Sequence, residues 1–241
     1  MAKNSKRSAR IQAINKQVIG LFREQNRHQS IVPMLYDELA YRPVILFMGI
    51  NPSFSVATTN AFLNKANVAG ASNVPPPCIH KTFLLTQASQ NSKALKRIQR
   101  IAKGFYCKYF APFHKVGGAL GLSLWHDPEA HPDSGNYWEH IDLFFSRGNP
   151  PYGMNFIARQ IDQTKELIKI IRPQNIVVAN SEACKVMCDH KLIAGYDEKL
   201  GWGHLAFGSQ VRVFFSGHWA TGRLDNYTAN IVAAYLRCHI L

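Results

Sequence analysis

The chain has 241 residues, 46% of them apolar, enough to bury a full core as one α/β domain. No apolar run is long enough for a membrane span and no secretory h-region follows the start; five irregularly spaced cysteines exclude a disulfide framework and point to a reducing compartment. A formal charge of +13, from 28 Lys+Arg against 15 Asp+Glu, exceeds what solubility needs and points to a polyanion, nucleic acid before an anionic membrane surface.

In chain order, Lys3, Lys6, Arg7, Arg10 and Lys16 come first, with no acid before Glu24. They predict a disordered basic arm that passes into a helix near Ile11 to Phe22, so residues 1–28 stand apart from a single α/β domain over 29–241. Such a helical, acid-poor start is also like a mitochondrial presequence. Pro33 to Ala40 predicts a short helix with the proline in its first turn. The run from Val44 to Gly49 is unbroken and apolar, as in a strand buried on both faces of a parallel sheet, and it turns through Asn51-Pro52. Ligands of open α/β sheets bind beyond the carboxyl ends of the strands, so Asn51, Pro52 and Ser53 are expected at that crevice.

Phe54 to Pro77 reads as a long loop of the kind that is functional or mobile. Asn91 to Phe105 predicts an amphipathic helix. Leu95, Ile98, Ala102 and Phe105 fall on one face, and Lys93, Lys96, Arg97, Arg100 and Lys103 line the other without a single acid. That face suits phosphates better than solvent, which ordinarily meets both signs of charge. Tyr109 to Leu122 predicts a further helix. Three more strands are expected, over His140 to Phe145, Asn175 to Asn180 and Val211 to Ser216. Helices over Phe156 to Ile171, from Ser181, and over Asp225 to Arg237 are interleaved with them. Alternation of this kind gives a three-layer αβα domain around a central, mostly parallel sheet of about four strands.

Two side-chain groups invite a metal. His126, Asp127, His131 and Asp133 match no zinc spacing and fit a solvated loop, while Cys184, Cys188 and His190 fit buried cysteines on a helix. Neither a metal nor a cofactor is expected.

Three strand ends share a pattern: Gly49-Ile50-Asn51-Pro52, Asp142 inside Ile141 to Phe145, and Gly217-His218 opening a polar loop. Their order resembles the uracil-DNA glycosylase superfamily, in which a G-x-[DN]-P motif follows the first strand and a later His opens a loop after the last. The Asn form is similar to the mismatch-specific thymine/uracil branch, and the run from Ile171 to Asn180 resembles the family's strand before the second motif. The chain departs from the pattern at Ser53, at Asp142 where a base-reading Asn is usual, and at Trp219 where Pro is usual.

The resemblance implies hydrolysis of the C1′–N bond of a flipped, deaminated base in DNA. Asn51 would aim the water through its side-chain carbonyl, and His218 would donate to the base oxyanion, a contact worth roughly 3–4 kcal/mol in other enzymes. Asp142 would read N–H donors on the base or share in activating water. Gly49, Ile50, Pro52, Ser53 and Asn180 would line the base pocket, with Phe54 stacking on the base. Arg147, Thr221 and Arg223 would join the basic helix on the phosphates, and Trp219 or Leu224 would wedge into the groove. The expected partner is DNA and the expected state a monomer, cytoplasmic and nucleoid-associated in a bacterium, with nucleus and mitochondrion open. Two rivals remain: a silent DNA-binding protein of the same fold, and a hydrolase of free nucleosides or nucleotides.

Overall fold

The computed structural model describes residues 2–25, 33–36, 39–50, 110–125, 135–146, 153–207, 210–216, 219 and 224–240. Among these the chain forms five helices and seven strands. In order they are α1 (Ala2–Gln25), β1 (Ile45–Gly49), α2 (Ala111–Ala119), β2 (Ser123–Leu124), β3 (Tyr137–Asp142) and α3 (Met154–Ile171). Then come β4 (Asn175–Val178), α4 (Ser181–Asp189), β5 (Ile193–Asp197), β6 (Trp202–Leu205), β7 (Arg212–Phe215) and α5 (Asn226–Ile240). No helix among the described residues is long and apolar enough to cross a membrane. Contacts gather the chain into two compact units, one holding residues 2–25, 33–36, 142–146 and 153–170, the other the remaining described residues.

The second unit carries the sheet, seven strands in the order β2-β3-β1-β4-β7-β6-β5 rather than the expected four or so. β1, β4 and β7 run parallel in register, Phe47 beside Val177 and Val177 beside Phe214, and β2 runs parallel to β3. β6 and β5 then close the sheet antiparallel to β7. Side chains alternate across a strand, so Phe47, Val177 and Phe214 share one face. Two helices cover it. Phe113 of α2 lies 5.4 Å from Phe47 between ring centroids, and Tyr235 and His239 of α5 lie against Phe214. The helices are tied by Arg237, whose Nη2 donates to the Ala119 carbonyl at 2.6 Å.

The first unit is built on α1, which is helical from Ala2 instead of beginning as an arm. Ile11, Ile14, Val18, Leu21 and Phe22 bury one stripe at helical spacing, and Phe22 packs edge-on against Phe156 of α3. The helix expected over Pro33 to Ala40 does not form at its described residues. Their backbone groups find tertiary partners instead of each other. Asn15 donates Nδ2–H to the Tyr36 carbonyl and accepts the Tyr36 N–H on Oδ1, while the Met34 N–H reaches the Phe145 carbonyl.

The strand expected over His140 to Phe145 lies earlier, over Tyr137–Asp142. Side chains of α3 end it. Thr164 donates its hydroxyl to the Leu143 carbonyl, and Gln160 Oε1 accepts both the Phe145 and Ser146 N–H groups, so the ladder has nothing left to pair. The expected basic helix over Asn91 to Phe105 and the loop before it lie outside the described residues.

Candidate functional site

The sequence of crossovers defines where a ligand would enter. From β1 the chain passes to β3 on one side, then to β4 and β7 on the other, so β1 and β4 flank the point where the winding reverses. The crevice beyond the carboxyl ends at such a switch point is the binding place of doubly wound sheets.

Those ends are stitched together. The Ala179 N–H donates to the Met48 carbonyl at 3.0 Å, the Ser216 N–H to the Val178 carbonyl at 3.0 Å, and the Trp219 N–H to the Ala179 carbonyl at 3.3 Å. Gly49 is the buried last residue of β1, and Ile50 beyond it is half-buried. Ser216 and Trp219, on either side of Gly217-His218, are both fixed to the β4 end. These bonds fix the carboxyl ends of β1, β4 and β7 to one another.

Asn180 sits at this frame as the N-cap of α4, its Oδ1 accepting the Ala183 N–H at 3.0 Å. An extended residue with a short carbonyl-bearing side chain is what a helix start requires. Its oxygen thus has a structural task at the start of α4.

Trp219 takes a different place from the wedge expected of it. It is buried, with its ring 5.5 Å from both Phe47 and Phe113, and Nε1–H donates to the Ser216 hydroxyl at 2.5 Å. Leu224 is buried as well, and its carbonyl accepts from Lys115. Trp219 serves the sheet's packed face and Leu224 is buried, so the wedge assigned to them is corrected to a core role. The reason is local: an indole beside two phenyl rings buries more apolar area than a loop tip can offer.

β3 contributes buried polar groups. Asp142, its last residue, is 1% exposed, and its own N–H donates to the Tyr36 hydroxyl at 2.8 Å. Sequence reasoning missed Glu139, three residues earlier and fully buried, whose two oxygens accept the Ala40 and His140 N–H groups. A carboxylate that receives two backbone donors bridges the strand to the segment entering β1, which is a structural use. The signal was present as two acids within six residues of a buried, aromatic strand. His140 lies between them with Phe110 and Phe113 against its ring.

Asn51, Pro52, Ser53, Phe54, Lys93, Lys96, Arg97, Arg100, Lys103, Arg147, His218, Thr221 and Arg223 lie outside the described residues. In the first unit a hollow of about 490 Å³ runs between α1 and α3, bordered by the Glu24–Arg159 ion pair and by Gln17, Asp162 and Gln163. It contains none of the residues named from the sequence. No protein-family model matches the chain, and no curated protein compared with it matches in sequence.

Proposed function

We propose that the chain is a monofunctional DNA N-glycosylase of the uracil-DNA glycosylase kind, acting on a flipped, deaminated base. One observation carries this reading: the first motif leaves β1 and the second leaves β7, on either side of the β4 end. Two strand spacings amount to about 10 Å, room for one planar base with a side chain approaching from each flank. The charge supports it too. Lys6, Arg10 and Lys16 stand exposed on α1, adding cations to those expected from the basic helix.

Under this reading a water oriented by the Asn51 carbonyl attacks C1′ as the C1′–N bond breaks. The bonding pair leaves with the base, whose oxyanion receives a hydrogen bond from His218. The water proton passes to the departing base or to solvent, leaving an abasic sugar. An amide orients water without removing its proton, so turnover is slow. Asp142 accepts from the N–H edge of the base, its backbone held by Tyr36.

The test is cleavage of labelled duplexes that each carry one uracil, hypoxanthine, xanthine or mismatched thymine, followed by alkali. Breaks at one of these bases are expected, with Asn51→Ala and His218→Ala each slowed about 100-fold or more. Intact strands together with salt-sensitive binding would identify a silent DNA-binding protein instead. Release of bases from free nucleosides but not from duplexes would identify a nucleoside hydrolase.

A further inference from the structure

Seven large apolar side chains stand exposed among the described residues, and four of them gather at α5: Tyr227, Ile231, Tyr235 and Leu200. Three form a row along α5, with Tyr227 74%, Ile231 53% and Tyr235 38% exposed. Leu200 joins it, because the Tyr235 hydroxyl donates to the Leu200 carbonyl. An apolar concentration of this kind on a folded surface marks an interaction site.

The row's chemistry selects the partner. The only Lys or Arg between Asn226 and Ile240 is Arg237, whose guanidinium is engaged with Ala119, and the helix contains no acid. In a chain of +13 this face is nearly neutral, so it attracts no polyanion and does not repel a copy of itself. The order Tyr-Ile-Tyr at spacing four reads the same in both directions. A twofold axis through Ile231 therefore brings Tyr227 onto the partner's Tyr235, and Ile231 onto its own equivalent. Residues four apart form one of the helix ridges, and two such ridges interdigitate at about −50°. Self-complementarity about a twofold axis is what an isologous dimer needs.

The area is of the right order. At roughly 200 Å² for a whole large side chain, the exposed parts of the four residues supply on the order of 400 Å² per copy. Asn230, Ala234 and Cys238, exposed along the same helix, extend this toward the about 800 Å² per partner of a standard interface.

We infer that the chain forms a twofold dimer through α5, with Ile231 on the axis. This differs from the monomer expected from the sequence, and it stands independently of the glycosylase reading. Nuclease-treated full-length protein in high salt is examined by sedimentation velocity from about 1 to about 100 µM. The wild type is expected to double its mass, and Ile231→Glu, which would bury two like charges on the axis, to weaken association at least ~100-fold. Circular dichroism of that variant should match the wild type, since the position is exposed. Under mild oxidation Ile231→Cys should cross-link to its own copy, whereas wild-type Cys238, about 10 Å from the axis along the helix, should not. A wild type that is monomeric throughout, or a dimer that survives Ile231→Glu and leaves Ile231→Cys uncross-linked, overturns the proposal.

Discussion

Single side chains decide where this backbone goes. Asn15 is buried on α1 and uses both ends of its amide on the backbone of Tyr36, and Tyr36 in turn offers its hydroxyl to the Asp142 N–H. An asparagine between Ile14 and Lys16 gives no hint in the sequence of a partner twenty-one residues away. Asp142 was legible as an oddity, because an acid inside an apolar run must find partners. Asn180 entered only through the resemblance, as a residue lining the base pocket, and its cap role was not read although an asparagine directly before a helix is a favoured N-cap.

Cys184 makes a residue-scale prediction about pH. Burial, and then the neighbouring Cys188, push its thiol up to about 12 from the ordinary 9.0. It therefore stays protonated at pH 8, where alkylation requires the thiolate. Mass spectrometry after brief iodoacetamide treatment should find the exposed Cys238 modified before Cys184, with Cys184 intact until the chain unfolds. The sign of the linkage follows: the neutral, half-buried thiol contributes its full stability below pH 9, and this contribution drains away as pH rises toward 12. Early labelling of native Cys184 would contradict that environment.

At the scale of elements, glycines mark the close approaches. A Cβ on Gly117 of α2 would lie 2.6 Å from Trp138 Nε1 and 2.7 Å from Cδ1. Trp138 is buried between Phe47 and His114 and has nowhere to swing. Gly117→Ala gains up to about 1 kcal/mol in helix propensity, but overpacking costs about 1–3 kcal/mol. A net loss is expected, read as a lower urea midpoint with an unchanged slope. An unchanged or higher midpoint would mean that α2 stands further from β3.

The same logic separates the elements that could be read from those that could not. β1, β4, β7, α3, α4 and α5 announced themselves through apolar runs or helical spacing, and their boundaries fall within a few residues of expectation. The β5–β6 hairpin stayed hidden. Its strands are short, most of β5 is exposed, and each contains a glycine, which argues against a strand in sequence. Yet a Cβ on Gly203 would sit 2.7 Å from Ile193 Cγ2, so that glycine is what lets the hairpin close. β3 was displaced because its end is set by Thr164 and Gln160 of α3, partners that no local pattern contains.

For the whole molecule, charge is the property on which the proposed function depends most. Lys6, Arg10 and Lys16 project from α1, and the first acid in the chain is Glu24. If they meet phosphates, replacing all three with Ala should flatten the dependence of log K on log salt for duplex binding. Each lost contact removes about 0.9 from the slope. An unchanged slope would assign duplex contact to the other cations. The α5 face, nearly free of charge, belongs to a different task, so the two surfaces can be altered separately.

The stitching of the strand ends also has a consequence for how the protein comes into being. Residues 48, 179, 216 and 219 meet there, although 171 positions separate the first from the last (219 − 48). Contacts so remote in sequence form late, because the loop must close before any of them is rewarded. A chain emerging from the ribosome can assemble α1 and hold β1 ready, but the crevice has no far wall until β7 has been synthesised. Any activity housed there arrives all at once, when β7 has joined the sheet, and a nascent chain halted before Arg212 would lack it altogether.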